Sequence, residues 1–420
     1  MSAFRFLHAA DIHLDSPMRR LEQYPGAPVE AFRGATRRAL EKLVDLAIVE
    51  RVDFVLIAGD LYDVGWECYK TPLFFCEQMA KLGESGIPVY LIRGNHDALN
   101  ESPLRFKLPP NVHMMGHEQA DSFPVDGLGV VVHGQSFGTR RVPDNLALGY
   151  PAKWPGHFNL GMLHTSLEGR PGHDSYSPCK LDDLRVKGYD YWALGHVHTR
   201  ESLHPVQPIH FAGNTQGRHI GEPGPKGCLL VTVDGRGGPP SVAFKALDVL
   251  RWATCRVDGR GLDDDDMLHA VAAAIDEAAE GAGDRYLAVR VAITEADGHD
   301  QHFDAERLRA EVQRVARERT GGRTWVERVE RRFAPVPREA AEGPIGEILD
   351  HLAALEQDRS ALKAICDEFL KALKKKLPSD FFEGDRAMAL DAGPRLLEAL
   401  DGARRLLIGG LAPAPGGERS

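Results

Sequence analysis

Residues 91–97, Leu-Ile-Arg-Gly-Asn-His-Asp, set an amide, an imidazole and a carboxylate in succession directly after an apolar run. Amide and carboxylate oxygens bind cations, and an imidazole can ligate a metal or carry a proton. Val89 to Ile92, stopped by Gly94, reads as a buried strand ending in a polar turn, where parallel sheets keep their chemistry. Alone, Gly94-Asn95 also suits an ordinary tight turn. The other strand ends decide between the two. Asp11 and His13 follow the apolar run 4–10, Asp60 follows Phe54 to Ala58, and His164 follows Leu160 to Leu163. His196 and His198 follow Tyr191 to Leu194 and, as alternate residues, point the same way.

Asp11, His13, Asp60, Asn95, His164, His196 and His198 combine carboxylate, imidazole and amide oxygen. That donor set suits hard or borderline divalent ions, manganese first, with iron or magnesium as alternatives, and its lack of thiolate argues against structural zinc. Seven ligands are too many for one closed tetrahedral ion but right for two ions sharing a carboxylate with positions open for water and substrate. Asp60, central in the motif order, is the natural bridge. His96 stands beside a ligand without needing to be one, which frees it to give a proton to a leaving oxygen. Asp97 either fixes the His96 tautomer or caps the turn. Arg93, Arg140, Arg141, Arg218 and His219 are candidate phosphate contacts, with Arg218-His219, just after a strand, the favoured pair.

The elements that must position these residues alternate. The runs 4–10, 54–58 and 89–93 read as strands, and 29–50 and 71–84 as amphipathic helices between them. This order implies an α/β protein with a mostly parallel sheet and right-handed crossovers. From 111 the pattern is strand-rich, with further strands at 209–212 and 227–233, and the Gly-rich turn 235–240 closes a first domain, 1–245. A smaller α/β domain, 246–338, follows, with strands at 252–257, 287–294 and 325–333 and helices at 264–280 and 304–319. Asp263 to Asp266 reads as a helix start rather than a metal site. Pro335, Pro337 and Pro344 mark a linker to a helical region, 339–408, patterned at 345–373 and 385–406. Lys374-Lys375-Lys376 reads as the basic last turn of a helix, and 409–420 as disordered.

At 420 residues the chain suggests two or three domains, and 43% apolar with 27% charged residues describes a globular protein. A net charge of −10 argues against a basic surface throughout but leaves nucleic acid open, since local patches and bound cations supply positive field. Fourteen of the 18 histidines precede residue 220, so the metal site belongs to the N-terminal half. The six cysteines form no Cys-x-x-Cys pair and read as reduced thiols of a cytoplasmic protein. No apolar leader or membrane-length run is seen.

Asp11-Ile12-His13, Gly59-Asp60-Leu61-Tyr62-Asp63, Gly94-Asn95-His96-Asp97, His164 and Gly195-His196-Val197-His198 together resemble the motifs of the calcineurin-like metallophosphoesterases. Within that superfamily, His8 to Leu14, Ala58 to Asp63 and Phe211 to Arg218 resemble the Mre11/SbcD-type DNA repair exonucleases, particularly their bacterial YhaO-like branch. The likeness is strong over 1 to about 235 and weaker beyond. It implies a four-layer αββα sandwich with a small capping domain and a C-terminal helical tail. One metal is implied on Asp11, His13, Asp60 and His198, and a second on Asp60, Asn95, His164 and His196. His96, held by Asp97, is implied to contact the phosphate and protonate the leaving group. Archaeal and eukaryotic relatives carry a histidine where this chain has Asp63, and bacterial members resembling it often have aspartate there. The implied activity is manganese-dependent DNA exonuclease. An SMC-like ATPase bound through the C-terminal helices and homodimerisation through the first domain are implied partners. A small-molecule phosphodiesterase is the alternative, which the acidic net charge keeps in view, and a chiefly ATPase-binding subunit is a third reading.

Overall fold

The computed structural model describes residues 2–16, 29–32, 34–63, 69–98, 107–168, 176–235, 237–295 and 305–333, with scattered positions between 347 and 365. Contacts divide the chain into two compact units. The first comprises Met1–Val257, Leu268–Ala292 and Glu306–Glu330. The second comprises Asp258–Met267, Ile293–Ala305 and Arg331–Ser420.

In the first unit, strands β1 (Phe4–Ala9), β2 (Phe54–Ala58), β3 (Val89–Ile92) and β4 (Val112–Met114) run parallel, as the alternating apolar pattern predicts. Helices α1 (Val29–Phe32), α2 (Ala35–Glu50) and α3 (Lys70–Glu84) fill the crossovers. β5 (Asp121–Val125), β6 (Val130–Gly134), β7 (Phe158–His164), helix α4 (Leu181–Arg185), β8 (Tyr191–Gly195), β9 (Glu201–Ser202) and β10 (Ile209–Phe211) follow. The last two strands of this part, β11 (Gly227–Val233) and β12 (Ser241–Ala246), are antiparallel neighbours. The turn at 235–240 therefore joins β11 to β12 within the first sheet. One six-stranded sheet has the order β12-β11-β1-β2-β3-β4 and the other β5-β6-β7-β8-β10-β9.

Side-chain alternation explains the layering. Leu7, Ala9, Val55, Ile57, Val89 and Leu91 point toward α2 and α3, whose Ala39, Leu40, Leu43, Phe75 and Met79 join the same core. Their neighbours Phe6, Phe54, Leu56, Tyr90 and Ile92 point the other way and meet Val132, Leu160, Met162 and Tyr191 of the second sheet. The far face of that sheet buries Leu163, Trp192, Leu194 and Phe211 against Leu184 of α4 and Ala147. The result is the four-layer αββα sandwich.

The remaining strands, β13 (Leu250–Asp258), β14 (Tyr286–Glu295) and β15 (Thr324–Phe333), form a three-stranded sheet in that order, with helices α5 (Asp264–Ala282) and α6 (Ala305–Thr320) between them in sequence. Within the first unit, Phe32 packs edge-on against Trp252 and Trp325, at centroid distances of 5.8 and 5.5 Å, joining this sheet to α1. The second unit holds the Gly259 N–H bond to the Thr294 carbonyl, 2.7 Å. The predicted linker prolines, the helix at 385–406, Lys374 to Lys376 and the terminal 409–420 lie outside the described residues, as does most of the helix at 345–373. Among the described residues, no helix is long and apolar enough to cross a membrane. Cys76, Cys179, Cys228 and Cys255 are free thiols.

Parallel register brings the functional loops to one edge. Ala9 pairs with Ile57, Ala58 with Ile92, and His164 with Gly195, so the residues that follow these strands leave the sheets together. Phe6 holds the two sheets in contact. It is fully buried, stacks on Phe54 of its own sheet at 4.9 Å and meets Tyr191 of the second sheet edge-on at 5.2 Å. Phe6→Ala is expected to cost about 3–5 kcal/mol, read as a lowered urea midpoint. An unchanged midpoint would show that this contact does not join the sheets.

Candidate metal centre

The loops that leave β1 and β2 stay hydrogen-bonded beyond the strands. The Asp11 N–H reaches the Gly59 carbonyl at 3.0 Å, and the His13 N–H reaches that of Asp60 at 3.0 Å. Asp11, His13, Asp60 and His196 all adopt positive φ, at 50°, 45°, 52° and 97°. Such backbone costs roughly 1–3 kcal/mol per residue and persists where the surroundings enforce it, which is characteristic of functional sites. Two glycines let the loops close together. A Cβ on Gly94 would strike Asp60 Oδ1 and the His164 ring, and one on Gly195 would strike the Ala58 carbonyl. Gly94 is needed for this approach, not for a left-handed turn.

The structure brings six of the seven predicted ligands into two tight groups and sets Asn95 beside the second. Asp11, His13 and His198 offer ligand atoms within 4.8 Å of one another, and so do Asp60, His164 and His196. Asp60 Oδ2 lies between them, 3.8 Å from His13 Nε2 and 3.4 Å from His164 Nε2, where a bridging carboxylate belongs. Asn95 Oδ1 faces His164 Nε2 at 3.0 Å and His196 Nδ1 at 3.3 Å.

This arrangement fits divalent cations on the chemistry of its donors. His13 Nδ1 lies 2.6 Å from Asp63 Oδ1, and His198 Nδ1 lies 2.7 Å from Glu222 Oε1. A carboxylate only accepts, so both Nδ1 atoms carry hydrogens and the lone pairs of neutral rings sit on Nε2. Those Nε2 atoms face each other at 3.2 Å. His164 likewise donates from Nδ1 to the Ala58 carbonyl at 2.9 Å, turning Nε2 toward two oxygen acceptors. Groups that hold such rings from behind, so that their Nε2 atoms converge, are the usual second layer of a metal site.

Residues 4–200 match the calcineurin-like phosphoesterase family, and residues 252–334 match the family described as metallophosphoesterase YhaO, middle domain. Over these two stretches the chain is similar to the calcineurin-like metallophosphoesterases. It is 39% identical over 257 residues to the metallophosphoesterase YhaO of Bacillus subtilis, covering 60% of this chain and 62% of that protein. More distantly, it is 27% identical over 207 residues to the DNA double-strand break repair protein Mre11 of Sulfurisphaera tokodaii, covering 48% and 50%. The protein of the same name from Methanopyrus kandleri is 25% identical over 233 residues, covering 50% and 49%. The matched stretch thus spans about half to three fifths of these relatives' lengths.

Around this candidate metal centre, several residues stand differently from the sequence-based expectation. His96 sits at the rim, its side chain 32% exposed where His13 and His164 are fully buried. Its Nδ1 lies 3.1 Å from Asp63 Oδ1, the same oxygen that holds His13. Asp97, expected to hold His96, instead accepts the backbone N–H groups of Gly94 at 2.7 Å and Leu61 at 2.8 Å. It ties the loop after β3 to the loop after β2, the turn-capping alternative. Burial and the Asp60 charge push its pKa up to about 6 against those two bonds. Arg218, the favoured phosphate contact, turns its guanidinium to Glu222 at 3.0 Å and Asp63 at 3.6 Å. His219 is exposed, with Nε2 3.5 Å from Glu222. Glu222 escaped sequence reasoning altogether, since a single glutamate in a Gly/Pro-rich loop carries no signal of its own.

The electrostatics set how a metal competes with protons. Burial opposes charge on His164, yet the Asp60 carboxylate outweighs it and raises the pKa from 6.5 to about 9. In the metal-free protein this pair stabilises the fold below pH 6.5, and that contribution is lost as pH rises toward 9. At neutral pH a cation must therefore displace the His164 proton. Binding is expected to release close to one proton per molecule at pH 7 and to tighten by about tenfold per pH unit up to pH 9. Calorimetry in buffers of different ionisation enthalpy measures this directly, and affinity independent of pH would contradict it.

Proposed function

We propose that this protein is a divalent-metal-dependent DNA exonuclease of DNA repair, with manganese the preferred ion. One observation carries the phosphoesterase chemistry: two ligand clusters meeting at Asp60, with the half-exposed His96 beside them. Divalent cations in such a site neutralise phosphoryl oxygens and acidify the attacking water. The chain's own residues supply the rest. With Nδ1 facing the Asp63 carboxylate, His96 directs Nε2 outward, toward a bound phosphodiester. Burial opposes its charge, but Asp63 and Asp60 hold its pKa above the ordinary value in the metal-free protein, which suits a group that protonates the departing 3′ or 5′ oxygen. Asp97 keeps the 94–97 turn against the β2 loop, and so keeps His96 and Asn95 in register.

DNA as substrate is supported by the break-repair relatives and by the YhaO-type middle domain at 252–334, which would cap the cleft. We include in this reading a cytoplasmic location, an SMC-like ATPase gripped by residues 345–406, and a homodimer formed through the first domain. Hydrolysis of small nucleotide diesters is the second reading, favoured by the net charge of −10.

Purified protein with manganese is expected to shorten end-labelled duplex DNA and to act far more slowly on cyclic nucleotides. Intact DNA beside rapid hydrolysis of a small diester would reverse that assignment. Asp60→Ala should lose bound metal and activity together. His96→Ala should retain most of its metal while turnover falls by about 10²–10⁴-fold. Metal loss in His96→Ala, measured by elemental analysis, would make it a ligand rather than a proton donor.

A further inference from the structure

The rings of His13 and His198 present their Nε2 atoms to each other at 3.2 Å, and each is held from behind by a different carboxylate. Asp63 holds His13 at 2.6 Å and Glu222 holds His198 at 2.7 Å. Two anions on opposite sides of a metal site repel each other, and either could swing its ring out of line. One cationic side chain stands between them. Arg218 places Nη1 3.6 Å from Asp63 Oδ1 and Nη2 3.0 Å from Glu222 Oε1, while Nε lies 3.5 Å from Glu222 Oε2. Nη1 also reaches Ser16 Oγ at 3.4 Å. Nη2 approaches His198 Nδ1 at 3.3 Å, but the carboxylate at 2.7 Å is the group that can accept the ring hydrogen.

We propose that Arg218 is a positioning residue of the first metal cluster, a clamp that spans Asp63 and Glu222 and so aims His13 and His198 at one cation. The planar guanidinium offers donors in fixed directions, which lets one side chain serve two carboxylates; a lysine ammonium is a single point charge on a flexible stem. The clamp rests on a braced loop. Glu222 Oε2 also accepts the Arg218 backbone N–H at 2.7 Å and the Asn214 amide at 2.9 Å. Gln216 donates to the Leu250 carbonyl at 2.7 Å and accepts the Val249 N–H at 2.9 Å, while the Trp252 indole donates to the Gly217 carbonyl at 3.2 Å. The loop that carries Arg218 and Glu222 is thereby fastened to the start of β13. Because Asp63 also faces His96, the same clamp reaches the proposed proton donor. With its side chain only 14% exposed and turned to two carboxylates, Arg218 is placed to hold the site rather than to meet substrate.

This assignment rests on the two-metal reading, and manganese binding by the full-length chain separates the two. Calorimetric or EPR titration of the wild type should show two manganese ions. In Arg218→Lys and Arg218→Gln, one of them should weaken by about 10–100-fold, the usual effect of removing a second-layer partner, while the other holds. Turnover on bis(p-nitrophenyl) phosphate should fall with KM nearly unchanged. Glu222→Gln, which preserves side-chain volume, should weaken the same single ion and decides the matter should an Arg218 variant not fold. Variants that bind both ions as the wild type does, with KM raised, would make Arg218 a substrate contact and overturn the clamp. A wild type that binds no manganese would instead defeat the two-metal reading.

Discussion

Unprotonated nitrogens and carboxylate oxygens brought face to face in a dry pocket repel each other unless a positive charge sits among them. His13 and His198 meet at 3.2 Å through their Nε2 atoms, and Asp60 Oδ2 lies within 4 Å of both His13 and His164. In the metal-free protein, protons answer part of this demand, which is why His164 is held so basic. Divalent cations answer it better, because the rings are already oriented from behind by Asp63, Glu222 and the Ala58 carbonyl. Much of the neighbouring structure serves to keep that repulsive arrangement in place.

The two sheets do most of this work. Their facing surfaces bury a cluster of Phe4, Phe6, Phe54 and Tyr191, whose rigid rings fix the distance between β1 and β8. The close approach at Gly94 and Gly195 then sets ligands from one sheet against ligands from the other. Positive φ at Asp11, His13, Asp60 and His196 is a cost concentrated at the functional edge and borne by the large cores behind it. Outside the first ring of ligands, Asp63, Arg218 and Glu222 form a line of alternating charge between the His13 and His198 rings. It links the edges of both sheets to the loop braced on β13.

Strand periodicity and turn residues were sufficient to read the parallel βαβ order, and the structure places each of those strands within a residue or two. The short strands β4, β5 and β12 were not read. Their burial is partial, so they lack the apolar runs that mark β2 or β7. β12, just beyond the 235–240 turn, pairs on the edge of the first sheet with much of its length exposed, and it falls at the end of the first domain read as 1–245.

The seven candidate ligands were legible because each is a polar residue at or just beyond the end of an apolar strand, and parallel strands must deliver such residues to one edge. Their chemical types already pointed to a pair of divalent ions. Which second partner each side chain takes was not legible, because those contacts join residues far apart in the chain. Asp97 lies next to His96 in sequence yet spends its oxygens on two backbone N–H groups, while Asp63 faces His96 from another loop. Arg218 carried the charge expected of a phosphate contact, but Glu222 and Asp63 were already beside it. Residue type sets what a group can bind; only the packed fold sets what stands within hydrogen-bonding reach of it.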